Sequence, residues 1–373
     1  MGLLTRRLAL SAFVAMAVTL LSAGSIDAAH GATLTNELHP QIVTSVPATQ
    51  DVFAFIVSSS FKHSNAVERS TNGGANFTPM GSIPLAPAPS PEINPINQLV
   101  FASAQVGFAT GVYESHFYLT RDGGRIWVKE SIPGITDIRQ IATTKTYLYA
   151  IAAYCPKTTV NCTDWRLERS PVSALRWTSL KILSPMSRYG SVMNVTAFGS
   201  SVWLSTMDQV SEPYDSYVAE SRNLGESFHV TIQPLLNSVT ACGIEAMSYG
   251  VIWAICDEGN MAGQIIYSDD GGAHWVLDDS NSVLSQFQFG SFDPVNARLA
   301  IAANGMDAGK LDAVTNASST PRVVGSIPNH RFVVDLDYLN GREGVMLTRG
   351  IGPLPTSIVW YTDDGGIRWK KVL

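Results

Sequence analysis

Short runs rich in β-branched and aromatic residues alternate along this chain with Gly- and Ser-bearing turns, the pattern of strands rather than helices. One stretch reads as strands at Gln98–Ser103, Gly107–Tyr113, His116–Thr120 and Trp127–Glu130. The next gives Ile138–Thr143, Tyr147–Ala153, Trp165–Arg169 and Trp177–Lys181, and a third gives Val192–Ala197, Val202–Thr206, Tyr217–Glu220 and Phe228–Ile232. Each unit repeats one order, four strands long. The first unit starts near Gln41-Ile42-Val43 and continues through Val52–Val57, and the last ends on Trp369–Leu373. No long stretch beyond the N-terminus has helical periodicity.

The units share a punctuation mark. It is Ser or Thr, then Asp or Asn two residues on, then Gly two further, then Trp or Phe after three more. The copies are Ser70, Asn72, Gly74, Phe77; Thr120, Asp122, Gly124, Trp127; Ser221, Asn223, Gly225, Phe228; Ser268, Asp270, Gly272, Trp275; and Thr362, Asp364, Gly366, Trp369. A further copy, Ser170 to Trp177, keeps only its ends. The starts fall at 70, 120, 170, 221, 268 and 362, so the steps are 50, 50, 51, 47 and 94, the last being twice 47. One unit has therefore lost its box. Ser82-Ile83-Pro84 and Ser131-Ile132-Pro133 trail their boxes, and Ser326-Ile327-Pro328 dates the missing one to about Val314 or Thr315. Seven units with a period near 50 residues point to a propeller or an array. In place of the missing box, the small, polar segment Ala303–Pro321 reads as a surface loop.

Each part of the box has a mechanical use. Gly after Asp or Asn supplies the positive φ of a tight turn. The Asp or Asn side chain bonds backbone N–H groups within it, the hydroxyl closes its other side, and the aromatic ring is buried in the next strand. Each box falls between the third and fourth strands of its own unit, so the units hold the aspartates apart. That favours a structural clip over a metal or acid site.

These boxes resemble the Asp-box, or BNR repeat, of sialidases, sortilin-type receptors and photosystem II assembly/stability factors. The last group is nearest, through units such as Leu99–Ala109 followed by the box at Thr120. The resemblance spans about residues 36–373 and implies an all-β fold, a single seven-bladed β-propeller of four-stranded antiparallel blades. Each blade would come from contiguous sequence, so the first and last would meet through side-chain packing. Sialidases carry an Arg-Ile-Pro segment before the first box and bind their sugar with an arginine cluster. Here no Arg-Ile-Pro occurs, and between residue 31 and the first box stands only Arg69. Xyloglucanases of this type need two propellers and a cleft between them.

Aligning the inner strands puts Ala102, Ala142, Thr196 and Glu245 in one column, with Asp335 and Asp337 of the seventh unit also facing the channel. Paired carboxylates can perform glycosidase chemistry. The plainer expectation is a solvated channel rim, or a salt bridge from Glu245 to Arg298 or Arg139. Nucleophilic catalysis has no anchor, because there is no Gly-x-Ser-x-Gly segment. Neither a His-x-x-x-His pair nor a phosphate loop appears, and no metal or cofactor is implied.

Composition sets the address. Of 373 residues, 45% are hydrophobic and 15% charged, enough for a core and too few charges for a disordered chain. The net charge of −6 argues against a nucleic-acid partner. Arg6-Arg7 and the 14-residue apolar run Leu8–Leu21 read as an export signal over residues 1–31, processed after Ala29-His30-Gly31; an uncleaved anchor is the alternative. No other run is long enough to span a membrane. Four cysteines suit export. Cys242 and Cys256 flank the turn at Tyr249 symmetrically, Cys155 and Cys162 flank a short loop, and both pairs are expected as local disulfides. The proline-rich stretch Pro84–Pro95 should cross one mouth of the ring. The leading expectation is an exported, monomeric, non-catalytic scaffold that binds a protein or glycan at one mouth. The alternative is an extracellular glycoside hydrolase, sialidase-like or xyloglucanase-like.

Overall fold

The structure is a computed structural model that describes residues 38–58, 65–85, 96–111, 115–154, 165–180, 191–207, 216–232, 241–257, 263–277, 292–304, 309–315, 318–328, 332–350 and 356–373. Seven four-stranded antiparallel sheets follow one another along the chain, each paired first to second to third to fourth. The inner strands are Leu38–Ser45, Ile96–Phe101, Asp137–Thr143, Ser191–Phe198, Ala241–Ala246, Phe292–Asn296 and Phe332–Tyr338. No strand is borrowed between the ends of the chain. Strands His116–Thr120 and Tyr147–Ala153 have the expected bounds, and the others differ at their ends.

Burial differs sharply across each blade. A second strand such as Tyr147–Ala153 is buried at nearly every position, because neighbouring blades cover both of its faces. An outer strand such as Val128–Ser131 is largely exposed. The core therefore lies between blades. Phe53 of blade one stacks on Phe101 of blade two with ring centroids 3.6 Å apart, and Trp127 meets Phe101 edge-on. At the closure, Val43, Val52, Ala54 and Ile56 of blade one pack against Val345, Leu347 and Val359 of blade seven.

One expectation is overturned. Ala303–Pro321 is not a surface loop in place of a hairpin. Strands Lys310–Thr315 and Ser318–Ser326 pair there as the third and fourth strands of blade six. The sixth hairpin has lost its box but kept its strands, because Leu311, Ala313 and Val314 are buried core residues. The third blade does likewise without glycine: Leu175 takes φ 45° in its turn.

Cys242 and Cys256 sit directly opposite each other and form a disulfide with Cα atoms 4.1 Å apart. Cys155 and Cys162, the proline-rich residues 86–95 and the proposed signal at 1–31 lie outside the described residues. Among the described residues, no helix is long and apolar enough to cross a membrane.

Candidate functional site

Strand order sorts the turns onto two rims. Turns between strands one and two, and between three and four, share one rim; the remaining connections occupy the other. On the first rim the box residues build one network five times over. The hydroxyl of Ser70, Thr120, Ser221, Ser268 or Thr362 donates to the carboxylate or amide oxygen two residues on, at 2.8–3.0 Å. The same hydroxyl accepts the N–H of Gly74, Gly124, Gly225, Gly272 or Gly366, at 2.7–3.0 Å. The side chain of Asn72, Asp122, Asn223, Asp270 or Asp364 accepts a backbone N–H four residues further, at 2.9–3.1 Å. These glycines all have positive φ. Phe77, Trp127, Phe228, Trp275 and Trp369 then re-enter the blade, and Trp127 and Trp275 donate Nε1–H to Gly124 and Gly272 carbonyls at 3.1 Å.

Each of these hairpins is also latched to the first turn of its own blade. Gly73, Gly123, Leu224, Gly271 and Gly365 donate N–H to the carbonyls of Gln50, Gln105, Ser200, Gly250 and Arg342, at 2.8–2.9 Å. The box acids are held ionised. Burial lifts Asp270, but the His274 amide and ring and the Ser268 hydroxyl outweigh it and hold the carboxyl at about 2. The boxes sit in separate blades and do not converge on one site.

The predicted channel residues do converge. Glu245, Asp335 and Asp337 act on one another electrostatically, and Asp293 of blade six, which sequence reading missed, joins them. Confinement in the channel, then the charges of Asp337 and Asp335, push Glu245 up to about 8. Burial likewise lifts Asp335 to about 7 and Asp293 well above the usual carboxylate range. Burial also raises Asp337, against the opposing effect of Ser45. Glu245 is exposed on the channel wall, where the like charges of Asp337 and Asp335 oppose its ionisation. Such a set titrates jointly. Among the described residues, the charges acting on Glu245 are both negative, in place of the arginine partner expected for it.

Three of these acids have backbone partners. Asp335 accepts the N–H of Val43 at 3.0 Å, and Asp337 that of Ser45 at 2.6 Å. Asp293 accepts the N–H of Tyr338 at 2.6 Å. The first and last blades thus meet through hydrogen bonds as well as the packing expected. The same stitch recurs with neutral side chains between blades two and three, three and four, and four and five. Gln98 accepts from Ile141 at 2.6 Å, Gln140 from Val195 at 2.7 Å and Thr196 from Ala246 at 3.1 Å. Every bond runs from one blade to the next. The physical reason is the sheet edge: an inner strand leaves N–H groups unpaired toward the channel, and those groups need acceptors. Among the described residues, no group of His, Cys, Asp and Glu has the geometry to hold a metal ion.

The fold and site define a stitched, seven-bladed β-propeller. No family model and no curated protein matches the chain. Solved structures do. YCF48 from Cyanidioschyzon merolae is 14% identical with TM-score 0.51, over 73% of this chain and 83% of that one. A structure of YCF48 bound to D1 peptide gives 14% and 0.54, over 74% and 81%. Puromycin hydrolase gives 13% and 0.62, over 89% of this chain and 54% of that one. At such identities the likeness extends to the propeller fold.

Proposed function

We propose that this chain is an exported, non-catalytic propeller that binds a protein or glycan partner at one mouth of the ring. The observation that carries this reading is the use to which the channel acids are put. Asp335 and Asp337, two of the three residues best placed for hydrolysis, are occupied with backbone N–H groups of blade one. A general acid or nucleophile must instead reach substrate. What is left is a rigid ring with short, latched turns on one rim, a form suited to presenting a surface. The likeness to a propeller solved with a bound peptide supports a partner-binding role. The buried Cys242–Cys256 bridge supports an oxidising compartment, in line with the basic-then-apolar residues 1–31 as an export signal. The repeated hairpins are read as Asp-box clips, and the protein as a monomer.

The test sets binding beside turnover. The purified protein is screened on peptide and glycan arrays and incubated with chromogenic glycosides. Saturable binding to one class without turnover is expected. Glycoside turnover lost in Glu245→Ala or Asp335→Ala would establish the hydrolase instead.

A further inference from the structure

A pseudo-symmetric ring reveals function where its repetition breaks. Among the turns joining first and second strands, one alone holds an aromatic residue, Tyr249 of blade five. That residue is 65% exposed, and Phe198, which ends the inner strand of blade four just before the matching turn, is 38% exposed. Single exposed apolar residues are ordinary. These two form a pair, with ring centroids 5.3 Å apart and planes at 88°. The Tyr249 hydroxyl end also rests on Gly199, where an added Cβ would meet it. The exposed ring is therefore held in place before any ligand arrives.

Beside it lies a cleft of about 520 Å³ between blades four and five. Arg222, Asp269, Asp270 and Ser201 line it together with Tyr249. Its walls are braced. Asp270 is saturated by Ser268 and His274, Arg222 ties Nε to Glu220 at 2.9 Å, and Trp203 donates to the Gly271 carbonyl at 3.1 Å.

We propose that this cleft binds a neutral pyranose unit of a glycan, laid on the face of Tyr249. The inference rests on the binding-scaffold reading and deepens it. The chemistry selects the ligand by elimination. The lining carries both signs, Asp269 and Asp270 against Arg222, which favours a ligand with no strong charge of its own. A peptide adding as a strand needs a free sheet edge, and this rim is made of turns; a docked helix needs a long apolar groove. A pyranose has an apolar C–H face that suits the electron-rich face of an aromatic ring. Its edge hydroxyls both donate and accept, which suits the guanidinium of Arg222, the carboxylate of Asp269 and the hydroxyl of Ser201.

The full-length exported protein is screened on an array of neutral β-glucan, xylan and mannan oligosaccharides alongside sialylated and sulfated glycans and peptides. The best neutral hexasaccharide is then titrated calorimetrically. Tyr249→Ala should weaken binding about tenfold or more, as for loss of a central aromatic anchor. Tyr249→Phe should keep most of it, and Arg222→Ala should weaken it several-fold. Melting temperatures report that the variants fold; if Tyr249→Ala does not, Arg222→Ala alone decides. Retention of no neutral glycan, a preference for charged glycans, or unchanged affinity in both Tyr249→Ala and Arg222→Ala overturns the proposal. Peptide binding that survives those substitutions would overturn it while leaving the scaffold reading standing. Silence on every array would remove both.

Discussion

Trp127, Trp275 and Trp369 hold the same place in three hairpins but not the same bonds. The first two donate Nε1–H to a glycine carbonyl in their own turn, at 3.1 Å. The third is half-buried, with its Nε1–H buried and without an acceptor among the described residues. Replacing Trp127 by Phe therefore removes ring area and a hydrogen bond, whereas at Trp369 it removes an unsatisfied donor. In urea titrations Trp127→Phe should cost about 1 kcal/mol more than Trp369→Phe; equal losses would show that the bond contributes nothing. The clip itself was legible because it is local. Ser268, Asp270 and Gly272 lie within five positions of chain, and turn chemistry alone dictates how they meet. Asp293 was not legible. It lies in the blade that has no box, so nothing aligned its inner strand with the others.

Among the elements, blades five and six show opposite relations between sequence and strand. In blade five, symmetric spacing about Tyr249 predicted that Cys242 and Cys256 face each other, and they do. Both are buried, at 1% exposure. The disulfide should therefore resist thiol reagents in the native protein and react once it unfolds. A Cys242→Ala, Cys256→Ala variant should lose about 1–3 kcal/mol with the β-sheet circular dichroism spectrum retained; reaction of the native bridge at the rate of a free peptide disulfide would contradict its burial. In blade six the outer hairpin was hidden. Its strands Lys310–Thr315 and Ser318–Ser326 carry small and polar residues, and their turn has no glycine signal. They pair because neighbouring blades bury Leu311 and Ala313, a tertiary demand that no local propensity announces.

At the scale of the ring, closure and charge are coupled. A carboxyl whose pKa is higher folded than unfolded is protonated by folding, so stability falls as pH rises. For Glu245 that window opens near its ordinary 4.5 and ends at about 8, and for Asp335 it runs from 3.8 to about 7. The box acids oppose this only at low pH, since Asp270 is held at about 2. Melting temperature should accordingly be several degrees higher at mildly acidic pH than in mild alkali. Glu245→Gln should flatten that slope by removing one charge from the cluster. A melting temperature indifferent to pH across this range, or a slope unchanged by Glu245→Gln, would contradict the repulsion described.

The number of blades, their four-strand order and the hairpin clips were already readable in the chain, because each depends on residues close together and on a period that repeats. What Asp335 and Asp337 do was not. Their partners are the N–H groups of Val43 and Ser45, 292 positions away, and a contact at that distance exists only once the ring has shut. The same holds for Phe198 and Tyr249, which belong to different blades and meet over Gly199. Short-range geometry is written in neighbouring residues; which side chains share the channel or the rim is settled by closure, since only there do distant strand edges present their unpaired groups to one another.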